Sequence, residues 1–434
     1  MRVLLFGDDF GIARLMRHLP RDYVCGVVAA GNRPRYHDAV RISAYDRGLP
    51  FAIQPAYHSA AYDEFVAWVK ERQPDLILVS SYSMILRPDV LGVPPLGGIN
   101  VHGALLPKYR GSNPLQWAII NGENVTGVTL HEMSAGIDEG AIIDRRVVPL
   151  YFEDAWQMAQ RRVTAATENL LADNLPQILS GCWHAVPQDP RLASSYRRRT
   201  ADDGLFNWDQ PVRRIYNLIR ALVAPHPGAH VLDAVGNRQV FDRYLTPADI
   251  TAFKYGEGGQ RLGHSEIELR PPVAQDGSLL RQWLDLQLEA SWCPEYCRGL
   301  LTCPTAEIAG ILAGRSDIVL FILEDAISAS PIGTGQIFNI NWRHGSAELR
   351  LDFTSANGFA TVAARMALSV LVAFGRRELA LHRLYAVDAD TNFHALRLYE
   401  ECGLLRKSVL RKAGCNSGGY VDGCCLASRG PAND

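Results

Sequence analysis

The first half of the chain alternates short, continuous apolar runs with amphipathic stretches, and this alternation restricts the fold most strongly. The apolar runs are Met1–Phe6, Val24–Ala29 and Leu76–Ser80. Runs of this kind are typical of strands that are covered on both faces. Amphipathic stretches such as Gly11–Leu19 and Ser59–Arg72 lie between them. Strand–helix alternation predicts a parallel, doubly wound sheet, in which ligands bind outside the carboxyl ends of the strands.

Length and charge narrow the class of protein. A chain of 434 residues is long enough for two or three domains, each with its own core. The formal net charge of -2 gives no basic excess, so we expect no nucleic-acid partner. The first residues, MRVLLFGDDFG, are unlike a signal peptide, and no apolar run is long enough to span a bilayer. We therefore expect a soluble cytoplasmic protein with no membrane partner, and a homodimer is compatible with the sequence.

The nine cysteines favour reduced thiols over a disulfide framework or a metal site. Cys293, Cys297 and Cys303 are close in sequence, but they lack paired Cys-x-x-Cys knuckles or a histidine at zinc spacing. The adjacent pair Cys424 and Cys425 is more typical of a strand end than of a redox site. The sequence therefore predicts no metal.

One run, INVHGALLPKYRGSNPLQWAIINGENVTGVTLHEMSAGIDEGAIID, contains three residues suited to catalysis. Asn100 and His102 lie on the same face of a predicted strand, because strand side chains alternate with period two. Asp138 follows on a tight loop between two glycines. The run resembles the catalytic region of the formyltransferases that use 10-formyltetrahydrofolate, and the resemblance extends over several separate elements.

The resemblance implies that Asn100, His102 and Asp138 form the catalytic set. Formyl transfer needs an uncharged amine, a stabiliser for the developing oxyanion, and a proton route to the departing folate nitrogen. Asn100 and His102 are suited to polarising the formyl oxygen. Asp138 either orients His102 or passes protons through a water, and its plainer role would be that of a turn residue.

The segment SSYSMILRPDVL resembles the loop that wraps the pterin ring in these enzymes. Met84, Ile85 and Leu86 are the candidates for the walls of the folate slot, and a plain core role competes with that function. Lys108, Arg110 and Arg220 are candidates for phosphate contacts or for packing.

The stretches WAIINGENVTGVTLH, RRRTADDGLFNW and NLIRALVAPHPGAH look most like the sugar N-formyltransferases. This resemblance implies that the acceptor is a nucleotide-linked amino sugar. A free amino acid, an N-hydroxy amine and methionyl-tRNA remain as alternatives. The basic cluster Arg197–Arg199 fits a solvated surface or a diphosphate contact at least as well as a tRNA contact.

The predicted domains are a formyltransferase catalytic domain at 1–195 and a small α+β accessory unit at 196–253, with a hairpin near Gly236. Residues 254–264, with four glycines and few apolar side chains, are typical of a flexible linker. A last α/β domain is predicted at 265–430. Because few contacts are expected to cross such a linker, the two halves should be separable there.

The last domain resembles the acetyl-CoA-dependent N-acetyltransferases of the GNAT superfamily. The residues that carry the resemblance are GFATVAARM, at the start of a long predicted helix, and NFHALRLYEECGL near the end. The predicted strands are 318–323, 332–341, 347–353 and 384–387. The fold class expected for the whole chain is α/β, with a Rossmann-like first domain and a GNAT-like last domain.

The GNAT resemblance implies acetyl-CoA as a second acyl donor. Gly358 and Ala360 match part of the pyrophosphate loop, and Ser355 replaces the usual Arg or Gln. Tyr399 matches the tyrosine that often protonates the departing thiolate, and Asn392 matches the start of the same segment. Glu348 is a candidate base or, equally, an exposed strand carboxylate. A bifunctional acyltransferase is therefore expected, and a non-catalytic module that senses acetyl-CoA or mediates association is the alternative.

Overall fold

The apolar runs near the start of the chain form the centre of a sheet. In the computed structural model, which describes residues 1–257, 259–289, 300, 303–355, 358–416 and 419–428, the chain divides into two compact units. The first unit is Met1–Asp203 and the second is Gly204–Asp434.

The sheet of the first unit has the order β3-β2-β1-β4-β5-β7-β8. The five strands from β3 to β5 in this order are parallel to one another, whereas β7 is antiparallel to both β5 and β8. The predicted parallel-dominated, Rossmann-like sheet is therefore confirmed. The strands are β1 Val3–Gly7, β2 Val24–Ala30, β3 Phe51–Gln54, β4 Leu76–Ser80, β5 Gly98–His102, β6 Arg110–Gly111, β7 Val125–Glu132, β8 Ile142–Pro149 and β9 Ser195–Tyr196; β6 and β9 form a small separate sheet.

Helices cover both faces of this sheet. Successive residues of β1 point to opposite faces, so Leu5 packs with Ile12 and Leu170 on one side. Phe6 belongs to a second core cluster, which includes Phe65, on the other side. Two apolar layers explain why the strands read as continuous apolar runs. The helices are α1 Asp9–His18, α2 His37–Tyr45, α3 Ala61–Glu71, α4 Pro88–Leu91, α5 Pro114–Ile120 and α6 Trp156–Ser180.

The second unit begins with two helices and a hairpin. Helix α7 (Val212–Leu222) is followed by β10 (Ala229–Leu232) and β11 (Arg238–Phe241), which pair antiparallel. The hairpin turn contains Gly236 at φ +88°, so the predicted turn is confirmed. Helix α8 (Pro247–Tyr255) follows, and a capping box formed by Thr246 fixes its start.

A larger sheet completes the second unit, in the order β12-β13-β14-β15-β16-β17-β19-β18. Neighbouring strands are antiparallel except for β16 and β17, which are parallel. Its elements are β12 Leu262–His264, β13 Ile267–Arg270, α9 Gly277–Glu289, α10 Ile308–Ala313, β14 Val319–Asp325, β15 Pro331–Asn341, β16 Ser346–Phe353, α11 Val362–Arg377, β17 Arg383–Ala389, α12 Phe393–Glu401, β18 Leu404–Asn416 and β19 Gly419–Ser428.

Residues 254–264 differ from the predicted flexible linker. Lys254 and Tyr255 end helix α8, and the last three residues of the segment form β12, which pairs with β13. The Lys254 ammonium is buried and lies 2.9 Å from a carboxylate oxygen of Glu378. The Tyr255 ring packs 5.9 Å from the ring of Phe374. Side-chain packing and strand pairing therefore hold a segment whose composition alone suggested a linker, and the contact boundary falls at 203/204 instead.

The described part of the chain shows no group of three metal-ligating side chains placed to share an ion. Cys293 and Cys297 lie outside the described residues. Cys303, Cys424 and Cys425 are free thiols. No helix in the described ranges is both long and apolar enough to cross a membrane.

Candidate active site

Strand pairing brings the predicted catalytic residues of the first unit together. Asn100 and His102 lie two residues apart on β5, at the carboxyl end of the strand. Asn100 is paired in register with His131 of the antiparallel strand β7. Asp138 lies on the connection between β7 and β8, with φ +55°. Strand β7 lies next to β5, and β8 lies next to β7. Their connection places the Asp138 carboxylate within 3.4 Å of Asn100 Nδ2 and of His102 Nδ1.

The Asn100 amide is held from two sides. Its Nδ2 atom lies 3.2 Å from Nε2 of His131 and 3.4 Å from Oδ1 of Asp138. The other ring nitrogen of His131, Nδ1, lies 2.7 Å from the carbonyl oxygen of Glu132. A proton on Nδ1 donates to that carbonyl, so the neutral ring accepts an amide proton of Asn100 at Nε2. His131 thus fixes the orientation of Asn100.

The His102 ring is buried and has a defined polarity. Its Nε2 atom lies 2.8 Å from the carbonyl oxygen of Tyr109, and therefore carries the proton in the neutral ring. Nδ1 faces Oδ2 of Asp138 at 3.4 Å. Burial lowers the pKa of His102 from its ordinary value, and the nearby Asp138 charge only partly opposes this effect. The neutral ring therefore presents an unprotonated Nδ1 to a carboxylate.

Asp138 remains ionised. Burial alone would raise its pKa, but the two histidines and a hydrogen bond from the Gly111 amide, 2.8 Å from Oδ2, lower the pKa to about 2. Because neither Asp138 Oδ2 nor His102 Nδ1 carries a proton, the pair can receive one from a third group. This arrangement suits the removal of a proton from an attacking amine.

Gln188 holds the loop that carries Asp138. Its Nε2 atom donates to the carbonyl oxygens of Asp138 and Gly140, both at 2.8 Å. Its Oε1 atom accepts a hydrogen bond from Nη2 of Arg110 at 2.8 Å. Arg110 also lies 3.4 Å from Glu139 through Nη1, so it braces the catalytic loop. Lys108, in contrast, is exposed.

Neither His131 nor Gln188 is among the candidate site residues predicted from the sequence. The period-two alternation of β7 could have found His131, because that residue lies on the strand that the run VTGVTLHE predicts next to β5. Gln188 follows a long helix, and the hydrogen bond from its side chain to Asp138 joins residues that are fifty positions apart in the sequence. Local sequence carries no signal for such a contact.

The candidates for the folate slot have different environments. Leu86 is buried in the core cluster that contains Phe65, which favours a packing role. Ile85 is 56% exposed, and its carbonyl oxygen accepts a hydrogen bond from Nε2 of Gln54 at 3.1 Å. Met84 is half-buried. Of these three candidates, Met84 and Ile85 have side-chain surface that a ligand could contact.

Arg220 lies in the second unit, within helix α7, and is buried. Its Nε atom donates to Oδ1 of Asn217 at 3.0 Å, and its guanidinium lies 5.4 Å from the centre of the Tyr216 ring. These contacts explain Arg220 as a packing residue of the helix.

The second unit holds a separate group of buried polar side chains on β16 and β17. Glu348 is buried, and Oε2 accepts a hydrogen bond from Nδ2 of Asn339 at 3.2 Å. Burial raises its pKa to about 7, although Asn339 and Arg350 act in the opposite direction. The idea of an exposed strand carboxylate is therefore wrong for Glu348.

Tyr399 and Asn392 lie on or beside helix α12. Tyr399 is buried, and burial together with the charge of Asp388 raises its pKa well above the ordinary value. Burial also raises the pKa of Asp388, to about 6. Asn392 caps α12 by accepting from the amide of Ala395, and donates from Nδ2 to Asp388 at 3.1 Å. Helix capping accounts for Asn392 without a ligand.

Gly358 and Ala360 form a short 3₁₀ turn before α11. A Cβ atom at Gly358 would lie 2.3 Å from Cβ of Phe353, so no larger residue fits. Substitution of Gly358 would therefore disturb packing before it affected any bound phosphate.

Two stretches of the chain match known protein families. Residues 18–175 match the family described as Formyl transferase, and residues 199–251 match Formyl transferase, C-terminal domain. The chain is 37% identical over 196 residues to the bifunctional polymyxin resistance protein ArnA of Wigglesworthia glossinidia brevipalpis, a match that covers 44% of this chain. The chain spans 30% of the length of that curated relative.

Among solved structures, the chain is similar to a sugar N-formyltransferase from Shewanella sp FDAARGOS_354, with 20% identity and a TM-score of 0.47. The match covers 56% of this chain and 97% of that one. An N-formyltransferase from Helicobacter canadensis matches with 21% identity and a TM-score of 0.41, over 51% of this chain and 80% of that one.

Proposed function

We propose that the chain transfers a formyl group from 10-formyltetrahydrofolate to the amine of a nucleotide-linked amino sugar. The observation that carries this proposal is the convergence of Asn100, His102 and Asp138 at the end of β5. The formyltransferase family matches agree with it, because the first of them includes all three residues.

The reaction forms a bond from the acceptor nitrogen to the formyl carbon and breaks the bond from that carbon to the folate nitrogen. One proton leaves the acceptor nitrogen, and one is gained by the folate nitrogen. The His102 Nδ1 atom and the Asp138 carboxylate, 3.4 Å apart, receive the first proton. Asp138 then stabilises the imidazolium that forms, and the same pair can return the proton to the leaving nitrogen.

The Asn100 amide is suited to stabilising the formyl oxygen as it gains charge. His131 holds one N–H of this amide before the reaction. The second N–H, 3.4 Å from Oδ1 of Asp138 in the free protein, is the donor that turns to the formyl oxygen. The formyl donor supplies the one-carbon group, and the half-buried Met84 and the exposed Ile85 are the residues we assign to its slot.

The test uses the full chain with 10-formyltetrahydrofolate and four classes of acceptor. These are nucleotide-linked amino sugars, free amino acids, N-hydroxy amines and methionyl-tRNA, with products identified by mass spectrometry. We expect formylation of at least one nucleotide-linked amino sugar. Formylation confined to another class would replace the proposed acceptor, and no formylation of any amine would reject the activity.

We further propose that residues 265–430 form a GNAT-like domain that transfers an acetyl group from acetyl-CoA. One specific observation favours this second function. Strands β16 and β17 are parallel and pair only from Ser346 to Glu348, although β16 continues to Phe353 and β17 to Ala389. Parallel strands that part in this way leave unpaired backbone groups between them, which suit an extended amide-containing ligand.

The side chains near this opening support acetyl transfer. Glu348 lies at the last paired position, and its pKa of about 7 suits a general base near neutral pH. Tyr399, with its raised pKa, keeps its proton until it can donate to a leaving thiolate. We expect acetyl-CoA to bind the full chain in calorimetry. No binding at millimolar ligand would remove this activity, and binding without transfer to any amine would favour a sensing module.

A further inference from the structure

Arg199 lies on a segment that is fixed directly beside the catalytic loop. Strand β9, which ends at Tyr196, pairs with β6, whose last residue Gly111 donates its amide to Asp138. The amide of Ser112 donates to the Tyr196 carbonyl oxygen at 3.2 Å. Gly111 therefore links the two elements: it pairs with Tyr196 of β9, and its amide donates to the Asp138 carboxylate.

A second contact fixes the backbone of the residues that follow β9. The amide of Arg199 donates to Oδ1 of Asn113 at 3.2 Å. Asn113 is two residues after Gly111, so their Cα atoms are at most about 7.6 Å apart. The Tyr196 ring stacks on that of Tyr109, 4.9 Å away and nearly parallel. The backbone of Arg199 is thus anchored close to the site.

The Arg199 side chain is half-buried, and two of its three guanidinium nitrogens are unsatisfied in the described part of the chain. Within the described ranges, its Nε and Nη1 atoms are inaccessible to solvent and have no hydrogen-bond partner. Asp203 is the carboxylate that acts on it, but Asp203 already accepts from Arg197 at 3.0 Å and from the Thr200 amide at 2.6 Å. Burial lowers the pKa of Arg199, and the Asp203 charge only partly opposes this effect. Native proteins rarely leave buried N–H donors unpaired, and such groups call for a partner.

We propose that Arg199 binds a phosphate oxygen of the acceptor, in the diphosphate that joins the nucleoside to the amino sugar. This inference rests on the proposed formyl transfer and names the group through which the same site selects its substrate. A guanidinium presents its N–H donors as a planar fork that matches two phosphate oxygens. The net charge of -2 favours a small nucleotide over tRNA, which needs many basic contacts.

The test compares Arg199→Gln with Arg198→Ala, in which an exposed neighbour of the same charge is removed. Binding of UDP, dTDP and inorganic pyrophosphate to the full chain is measured by calorimetry. We expect Arg199→Gln to weaken diphosphate binding about tenfold or more, and Arg198→Ala to have little effect. Equal binding by the two variants, or no diphosphate binding by the wild type, overturns the proposal.

Thermal unfolding separates a binding role from a structural one. Because the buried nitrogens lack partners in the described residues, Arg199→Gln should not lower the Tm of the free protein. UDP or dTDP should raise the Tm of the wild type more than that of this variant. A lower Tm of the free variant, with an unchanged ligand effect, overturns the proposal in favour of a structural arginine.

Kinetics distinguish this proposal from the proposed function. If the wild type formylates a nucleotide-linked amino sugar, Arg199→Gln should raise the KM for that acceptor and leave kcat nearly unchanged. An unchanged KM overturns the phosphate contact and leaves the proposed function intact. If no amino sugar is formylated but diphosphate binding depends on Arg199, the phosphate contact stands and the proposed acceptor fails. Competition by tRNA but not by diphosphates overturns the proposal.

Discussion

Nδ2 of Asn100 lies 3.2 Å from Nε2 of His131, a residue on the neighbouring antiparallel strand. The contact connects the two strands at the point where they are paired in register. It fixes the Asn100 amide beside the Asp138 carboxylate, 3.4 Å away. His131 is therefore a positioning residue for formyl transfer, because it acts through Asn100.

Replacement of His131 by alanine should reduce kcat for formyl transfer by up to about a hundredfold, because a misplaced Asn100 amide stabilises the developing charge less well. The KM for the formyl donor should change little. His131→Gln should restore part of kcat, since its amide can still accept from Asn100. His58→Ala, at an exposed position, is the control. Equal kcat in His131→Ala and in this control would exclude the positioning role.

Asp138→Asn should fold normally and bind folate, yet lose about a hundredfold to a thousandfold in kcat. The variant retains the acceptor oxygen for the Gly111 amide but cannot stabilise a charged His102. The neighbouring variant Glu139→Gln is the matched control, because the Glu139 side chain is 56% exposed and its carboxylate lies 3.4 Å from Arg110. Formylation by Asp138→Asn at the rate of Glu139→Gln would remove Asp138 from the mechanism.

The pH dependence of formyl transfer should follow His102. Burial lowers its pKa below the ordinary 6.5, so the neutral ring persists below that pH, and kcat/KM should decline only in more acidic solution. The Asp138 charge raises the His102 pKa, hence Asp138→Asn should move the titration further toward acid. Histidine NMR titration of both proteins measures this shift, and a midpoint above 6.5 in the wild type would contradict it.

Glu378 should be essential for the stability of the second unit. Its carboxylate accepts from the buried Lys254 ammonium at 2.9 Å and from the Val212 amide at 2.8 Å. Glu378→Ala would leave that ammonium without its carboxylate, and should lower the free energy of unfolding by about 3–5 kcal/mol. The exposed Arg377→Ala should cost about 0.5 kcal/mol or less. Denaturant unfolding measures both.

Lys254→Met in the Glu378→Ala background should recover part of the lost stability, because it removes the unpaired charge. A chain cut after Ala252 should be less soluble and less stable than the intact protein, because the cut falls within helix α8 and removes the Glu378 carboxylate that accepts from the Val212 amide. A soluble fragment with full formyl transfer would show that the pair is dispensable.

Glu348→Gln should stabilise the protein in alkaline solution. The folded-state pKa of about 7 lies above the ordinary 4.5, so the folded state favours the protonated carboxyl. The stabilising effect of the proton is complete below pH 4.5 and is lost as the pH rises through 7. Glu348→Gln should therefore raise the free energy of unfolding relative to the wild type above pH 7, but not below pH 4.5. A stability difference that does not depend on pH would contradict this account.

Sequence patterns were sufficient where local physics decides the structure. The apolar runs predicted β1, β2 and β4, because residues covered on both faces must be apolar whatever their partners are. Period two predicted that Asn100 and His102 share one face of β5. The family resemblance added Asp138, and the structure brings its carboxylate 3.4 Å from both residues.

Only the tertiary structure decided the contacts between distant parts of the chain. Glycine-rich composition predicted a linker at 254–264, but Glu378, more than a hundred residues later, holds Lys254 in the packed unit. Gln188 holds the Asp138 loop from a distance of fifty residues. Two buried nitrogens of Arg199 have no hydrogen-bond partner within the described ranges, which is visible only when burial is known. Periodicity and composition describe neighbours along the chain, whereas burial and charge pairing depend on which segments meet in space.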